Sequence, residues 1–204
     1  MSNELAEWRD EHLNTVSNSF CAAKWYNASL HLGHGFTNSC HLPLPHPIDL
    51  EEIKTNPSAL HNTDHKKIAR KMMLEGIRPA ECSYCWKVED IGRDSIADRI
   101  YKSRIYTPEE LSALKDVPWD ADVNLKTVEV SFDRTCNFAC SYCNSGYSTA
   151  WGKDIEDNGA YQKFKTSSAG AYYADGSWAE PFGKNSKDNP YVDAFIEWWP
   201  ELSQ

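Results

Sequence analysis

The 204-residue sequence predicts a mixed α/β chain, α+β overall. Three observations predict it. Lys126–Phe132 places Val128, Val130 and Phe132 on one face and Glu129 and Ser131 on the other, the two-residue period of a strand. Tyr26–Leu32 is strand-like, Gly33-His34-Gly35 turns the chain, and Phe36-Thr-Asn-Ser-Cys40 returns it as a hairpin. Asn56-Pro57, Thr107-Pro108 and Asn189-Pro190 mark starts where a capping residue precedes a first-turn proline.

The remaining elements follow in chain order. Residues 1–18 read as a polar, partly helical lead-in. Leu42-Pro-Leu-Pro-His-Pro47 is an extended loop, because each proline restricts the residue before it. Thr63–Glu75 favours helix, with Ile68, Met72 and Met73 on its buried side, Gly76 as its stop and Pro79 as a firm end. Val88, Ile91, Ile96 and Ile100 predict a second helix with Gly92 as its weak point. Thr107 caps a short helix, Pro108 sits first, and Glu110 takes the capping-box place. Val117-Pro-Trp-Asp-Ala-Asp122 is a connector between modules. Ser148–Ile155 is helix-like, and Gly159–Asn189 reads as a long surface loop whose Tyr172, Tyr173 and Trp178 either pack or stack on a ligand. The final helix puts Val192, Phe195, Ile196 and Trp199 at i, i+3, i+4 and i+7. No internal repeat occurs.

Thirty acidic against 21 basic residues give a net charge of −9, which argues against binding a phosphate backbone and so against a nucleic-acid partner. No 18-residue apolar run exists, so no membrane span is expected. The polar N-terminus lacks the apolar core of a secretion signal. Seven cysteines in that setting point to a reducing cytoplasm and to metal ligation rather than disulfides.

The cysteines fall into two groups. Cys136-x-x-x-Cys140-x-x-Cys143 follows the Lys126–Phe132 strand and brings three thiolates into one compact loop. Three thiolates on a four-iron cube leave one iron for a small molecule to chelate, and no cysteine follows Cys143 to close the set. A zinc site or three unrelated thiols are the bland alternatives. Upstream, Cys21, Cys40, Cys82 and Cys85 supply four thiolates, enough for an all-cysteine site, and spacing alone does not separate zinc from a [4Fe–4S] cluster. His41 and His46 lie near Cys40 but read as polar loop residues; His31, His34, His61 and His65 read as surface or packing residues.

The segment Val130-Ser-Phe-Asp-Arg-Thr-Cys-Asn-Phe-Ala-Cys-Ser-Tyr-Cys143 resembles the cluster loop of the radical S-adenosylmethionine (SAM) family, in which an aromatic such as Tyr142 commonly precedes the third cysteine. Phe20-Cys-Ala-Ala-Lys-Trp25, the hairpin with Cys40, and Glu81-Cys-Ser-Tyr-Cys-Trp-Lys-Val-Glu89 resemble the SPASM/twitch auxiliary-cluster module of that family. The resemblance spans about residues 19–104 and 126–152. It implies a lead-in over 1–18, a twitch-like module over 19–116, and the N-terminal part of a partial (β/α) barrel over 117–204. It implies a catalytic [4Fe–4S] cluster on Cys136, Cys140 and Cys143 that binds SAM, with Tyr142 against the adenine end. Cys21, Cys40, Cys82 and Cys85 would ligate an auxiliary [4Fe–4S] cluster, with zinc as the alternative. The implied activity is reductive SAM cleavage that starts radical modification of a substrate, with a peptide as the first expectation and flavodoxin or ferredoxin as electron donor. No general acid or base stands out.

The chain also departs from the family pattern. A glycine-rich Gly-Gly-Glu segment should contact the SAM amino group, and no Gly-Gly pair occurs here. Fewer than 80 residues remain from Lys126 onward, against roughly 250 for a full barrel. The expectation is therefore a lone parallel strand, a final helix without a sheet to cover, and a partly exposed Trp198-Trp199 pair. A truncated frame, a second chain that completes the barrel, and a form that keeps only cluster binding all remain open. The rival class is a non-catalytic four-cysteine metal module.

Overall fold

A computed structural model describes residues 2–133, 135–143, 145, 148–159 and 188–204. The predicted aromatics Tyr172, Tyr173 and Trp178 lie outside the described residues.

The hairpin forms where glycine permits it. Strand β1 (Asn27–His31) turns through Gly35, whose φ of 69° suits a residue without a side chain, into β2 (Phe36–Asn38). The proline-rich loop adds β3 (His46–Pro47), which pairs antiparallel with β2. Strand β4 (Thr127–Ser131) joins the other side, giving the order β3-β2-β1-β4. The Lys126 N–H donates to the Tyr26 carbonyl at one end and the Leu32 N–H donates to the Ser131 carbonyl at the other. Those two bonds run β1 and β4 parallel, so the sheet is mixed and the architecture is α+β. The strand expected to stand alone has a partner; its alternating exposure makes it an edge strand with one half-covered face.

The chain divides into two compact units. The first comprises Met1–Leu30, Phe36–Glu129 and Ala194–Gln204. In it α1 (Ser2–His12) packs on α7 (Pro108–Ala113), and α2 (Ala23–Tyr26) packs on α4 (Asp64–Leu74) and α6 (Asp98–Ser103). Helix α3 (Leu50–Thr55) starts at the Asp49 cap, and a 3-10 turn over Pro57–Leu60 starts at the Asn56 cap. Thr107 and Glu110 complete the expected capping box of α7. The core gathers Leu13, Phe20, Trp25, Met73, Trp86 and Leu111.

Two helices that precede β4 depart from the sequence expectation. The face of α4 that turns inward carries Lys66, Ala69, Arg70 and Met73, whereas Ile68 is 55% exposed. Internal polar partners make this possible. Arg70 donates to the Lys24 and Ala121 carbonyls (3.1 Å each) and to Asn62 Oδ1 (2.9 Å), and Lys66 Nζ donates to Thr37 Oγ1 (3.0 Å) and meets His61 Nδ1 (3.1 Å). The second departure is the helix expected to run from Val88 to Ile100. Gly92 adopts a φ of 70° and divides it into α5 (Ser83–Asp90) and α6. Val88 and Ile100 stay buried while Ile91 and Ile96 face solvent.

The second unit comprises His31–Gly35 and Val130–Asp193. Helix α8 (Thr149–Asn158) starts where Ser148 Oγ accepts from the Trp151 N–H. Asn189 caps α9 (Pro190–Leu202) through its side-chain oxygen and donates to the Leu32 carbonyl at 2.9 Å. The buried positions of α9 are Tyr191, Val192, Ala194, Phe195 and Trp198; Ile196 and Trp199 of the predicted stripe face outward. No helix among the described residues is long and apolar enough to cross a membrane.

Candidate metal centre

The upstream cysteines come from three separated pieces of chain. Cys21 precedes α2, Cys40 follows β2, and Cys82 and Cys85 lie at the N-terminal end of α5. The fold brings all four to the lining of one small cavity of about 20 Å³, with Leu42, Trp86, Asp98, Arg99 and Lys102 around them. None of the seven cysteines forms a disulfide.

Backbone amides are aimed at this sulfur set. The Arg99 N–H donates to Cys85 Sγ at 3.3 Å, and the amides of Ala23 and Leu42 hydrogen-bond the thiols of Cys21 and Cys40. Such donors favour thiolate and tune any cluster that thiolates hold. Burial acts the other way. It pushes the Cys82 thiol up to about 11 and the Cys85 thiol up to about 12, and it raises Cys21 and Cys40 as well. Each of Cys21, Cys82 and Cys85 is raised further by neighbouring cysteines. The set is therefore protonated when empty and has to release protons to bind a metal.

Charged side chains surround it. Lys24 forms an ion pair with Glu81, and the other Glu81 oxygen lies 2.5 Å from His65 Nε2. Burial raises the Glu81 carboxyl, but Lys24 and His65 outweigh it and hold the group at about 2. Arg99 spends its guanidinium on Glu89 (2.7 Å), the Phe20 carbonyl (2.6 Å) and Asn14 (2.7 Å). The two nearby histidines stand apart: His41 is exposed and reaches Asp98 at 3.2 Å, and His46 stacks on His65 at 4.0 Å. Neither lines the cavity.

The downstream cysteines are arranged differently. Cys136, Cys140 and Cys143 are half-buried on an irregular loop between β4 and α8. The start of α8 anchors that loop. Thr149 Oγ1 accepts from the Cys136 N–H (3.0 Å) and donates to the Cys136 carbonyl (2.9 Å), Trp151 Nε1 donates to the Cys140 carbonyl (3.1 Å), and Ser148 Oγ donates to the Phe138 carbonyl (2.8 Å). Tyr142 is 90% exposed, and a hydrogen bond between its hydroxyl and the Cys140 thiol raises its pKa. That hydroxyl is within electrostatic reach of Cys143 and Cys136 too, so one atom senses all three thiols.

Comparison of the chain with protein-family models, with curated proteins and with solved structures found no match. The chemistry therefore rests on the residues themselves. Among the described residues no group of three or more His, Cys, Asp or Glu side chains is arranged to hold a single metal ion. Sequence reasoning found all seven cysteines but missed Lys24, Asp98, Arg99 and Lys102 beside the upstream four. A usable signal existed for Lys24: it follows Cys21 by three residues, and its partner Glu81 directly precedes Cys82.

Proposed function

We propose that the chain is a radical SAM-type iron–sulfur protein with two cluster-binding sites. The observation that carries this reading is the Cys136-x-x-x-Cys140-x-x-Cys143 loop that follows β4, with Tyr142 beside the three thiols. Cys136, Cys140 and Cys143 would hold a cluster with one open iron for SAM. Cys21, Cys40, Cys82 and Cys85, which line one cavity, would hold a fully ligated auxiliary cluster, with zinc as the alternative. A cluster bound at Cys136, Cys140 and Cys143 would supply the electron for reductive cleavage of SAM. The protein's own part is to bind and orient. Thr149, Ser148 and Trp151 fix the loop backbone, and Tyr142 offers a ring and a hydroxyl beside Cys140. A peptide is the proposed substrate class and a flavodoxin or ferredoxin the proposed reductant.

A second reading rests on a specific feature: no Gly-Gly pair is present to meet the SAM amino group. On that reading the chain binds one cluster at the upstream four and performs no SAM chemistry unaided. Anaerobic reconstitution separates the two. About eight irons per chain, with an electron paramagnetic resonance (EPR) spectrum that SAM perturbs, are expected for the first. About four irons and a spectrum indifferent to SAM establish the second.

A further inference from the structure

Lys24 is buried on α2, and its N–H donates to the Cys21 carbonyl at 3.0 Å. Its ammonium pairs with Glu81, the neighbour of Cys82, and is within electrostatic reach of the thiols of Cys21, Cys40 and Cys82. Burial works against that charge, and the ion pair with Glu81 offsets it. The other cations nearby are otherwise engaged or wetter. Arg99 is spent on Glu89, Asn14 and a carbonyl, and Lys102 is half-exposed on the cavity rim with Asp98 opposing it.

Four thiolates outweigh the charge of the metal group they hold and leave a net negative centre. In a low-dielectric core such a charge is costly without a partner. We propose that Lys24 is the fixed counter-charge of the four-cysteine centre, oriented by Glu81, and that it keeps the reduction potential of that centre up. This rests on reading Cys21, Cys40, Cys82 and Cys85 as cluster ligands. Lys24 is a positioning residue: it acts on the centre through space and ligates nothing. Glu81 then has the opposite electrostatic sense, because its negative charge offsets part of the lysine's.

The test uses the full chain with Cys136, Cys140 and Cys143 all changed to Ala, so that only the upstream centre loads. Iron per chain and the midpoint potential from an EPR-monitored titration are read after anaerobic reconstitution. Lys24→Met is expected to shift the redox equilibrium at least tenfold against the reduced state, about 59 mV downward for a one-electron couple. Lys24→Arg is expected to restore most of it, and Glu81→Gln to move the potential upward. Loss of iron in Lys24→Met with recovery in Lys24→Arg supports the same role, since charge rather than shape then governs loading. An unmoved potential in Lys24→Met, or shifts of the same sign in Lys24→Met and Glu81→Gln, overturns the proposal. A parent variant that takes up no iron overturns the ligand reading itself, and the proposal with it.

Discussion

Three cysteines of this chain belong to a core, Cys40 lines the cavity beside them, and three belong to a loop. Cys85 packs among the buried residues of the first unit, and Cys21 and Cys82 lie against the same cluster. Their positions follow from helices that would pack in any case, and backbone amides already point at three of the four sulfurs. Cys136, Cys140 and Cys143 depend on a few bonds to the first turn of α8. A site built into a core is shaped before its metal arrives. A site carried on a loop draws its local order from a handful of contacts and opens at low cost.

Four experiments break or sharpen that contrast. The largest effect is expected from a pair of cysteine variants in the reconstituted protein. Cys85→Ala should remove the upstream metal and with it about 4 kcal/mol of binding linkage at a thousandfold excess over Kd. That is roughly 8–16 °C in Tm for a chain of this size. Cys140→Ala should move Tm far less, because three thiols within eight residues hold metal in the unfolded chain as well, which cancels the linkage. Equal shifts in thermal melts would erase the distinction. Next, Arg70→Leu leaves the Lys24 and Ala121 carbonyls and Asn62 Oδ1 without their buried donor. It should cost about 3 kcal/mol in urea unfolding while sparing the EPR signal of the downstream centre.

A smaller effect is expected from Ser148→Ala. It removes the α8 cap and the bond to the Phe138 carbonyl, at about 1 kcal/mol. The downstream centre should then lose iron to a chelator faster while the upstream one is unchanged; parallel loss at both would show that the loop is no weaker than the core. The smallest effect concerns pH. Burial, followed by the charges of His65 and Lys66, depresses the His46 ring to about 3. The unfolded chain binds that proton near pH 6.5 and the folded chain does not, so stability falls as pH drops from about 6.5 toward 3. The slope stays below the one-proton limit of about 1.4 kcal/mol per pH unit, because the ring is only half-buried. His46→Gln should flatten that part of the urea-stability profile between pH 6 and 4.

Local chemistry was legible in the sequence because it is written in neighbouring residues. Thr107 with Glu110, Asn56 with Pro57, and the stop at Gly76 are short-range devices, and each forms. The mixed α+β class followed from the same signals. What was not legible depends on distant partners. A helix with the run His65-Lys66-Lys67 reads as wet, yet Lys66 and Arg70 turn inward because Thr37, His61 and Asn62 await them. Ile68 is displaced to solvent by that choice. The outer stripe of α9 was misread for a related reason: hydrophobic positions cover most of its circumference, so periodicity alone did not fix which side is buried. For the candidate site, spacing within each cysteine group was informative, but the charges around the upstream four come from elements that only the fold assembles.

The parallel pairing of β1 with β4 sets an order of events during synthesis. Ser29 and Glu129, which meet at 3.0 Å across that pair, are 100 residues apart in sequence. Closing so long a loop costs about 4 kcal/mol of chain entropy before the pairing returns anything, so the sheet is a late acquisition. All four upstream cysteines precede β4. At about 5–20 residues per second, a ribosome needs roughly 2–8 s to travel from Cys85 to Thr127. A nascent chain therefore carries a complete set of upstream thiols for several seconds before its sheet can close.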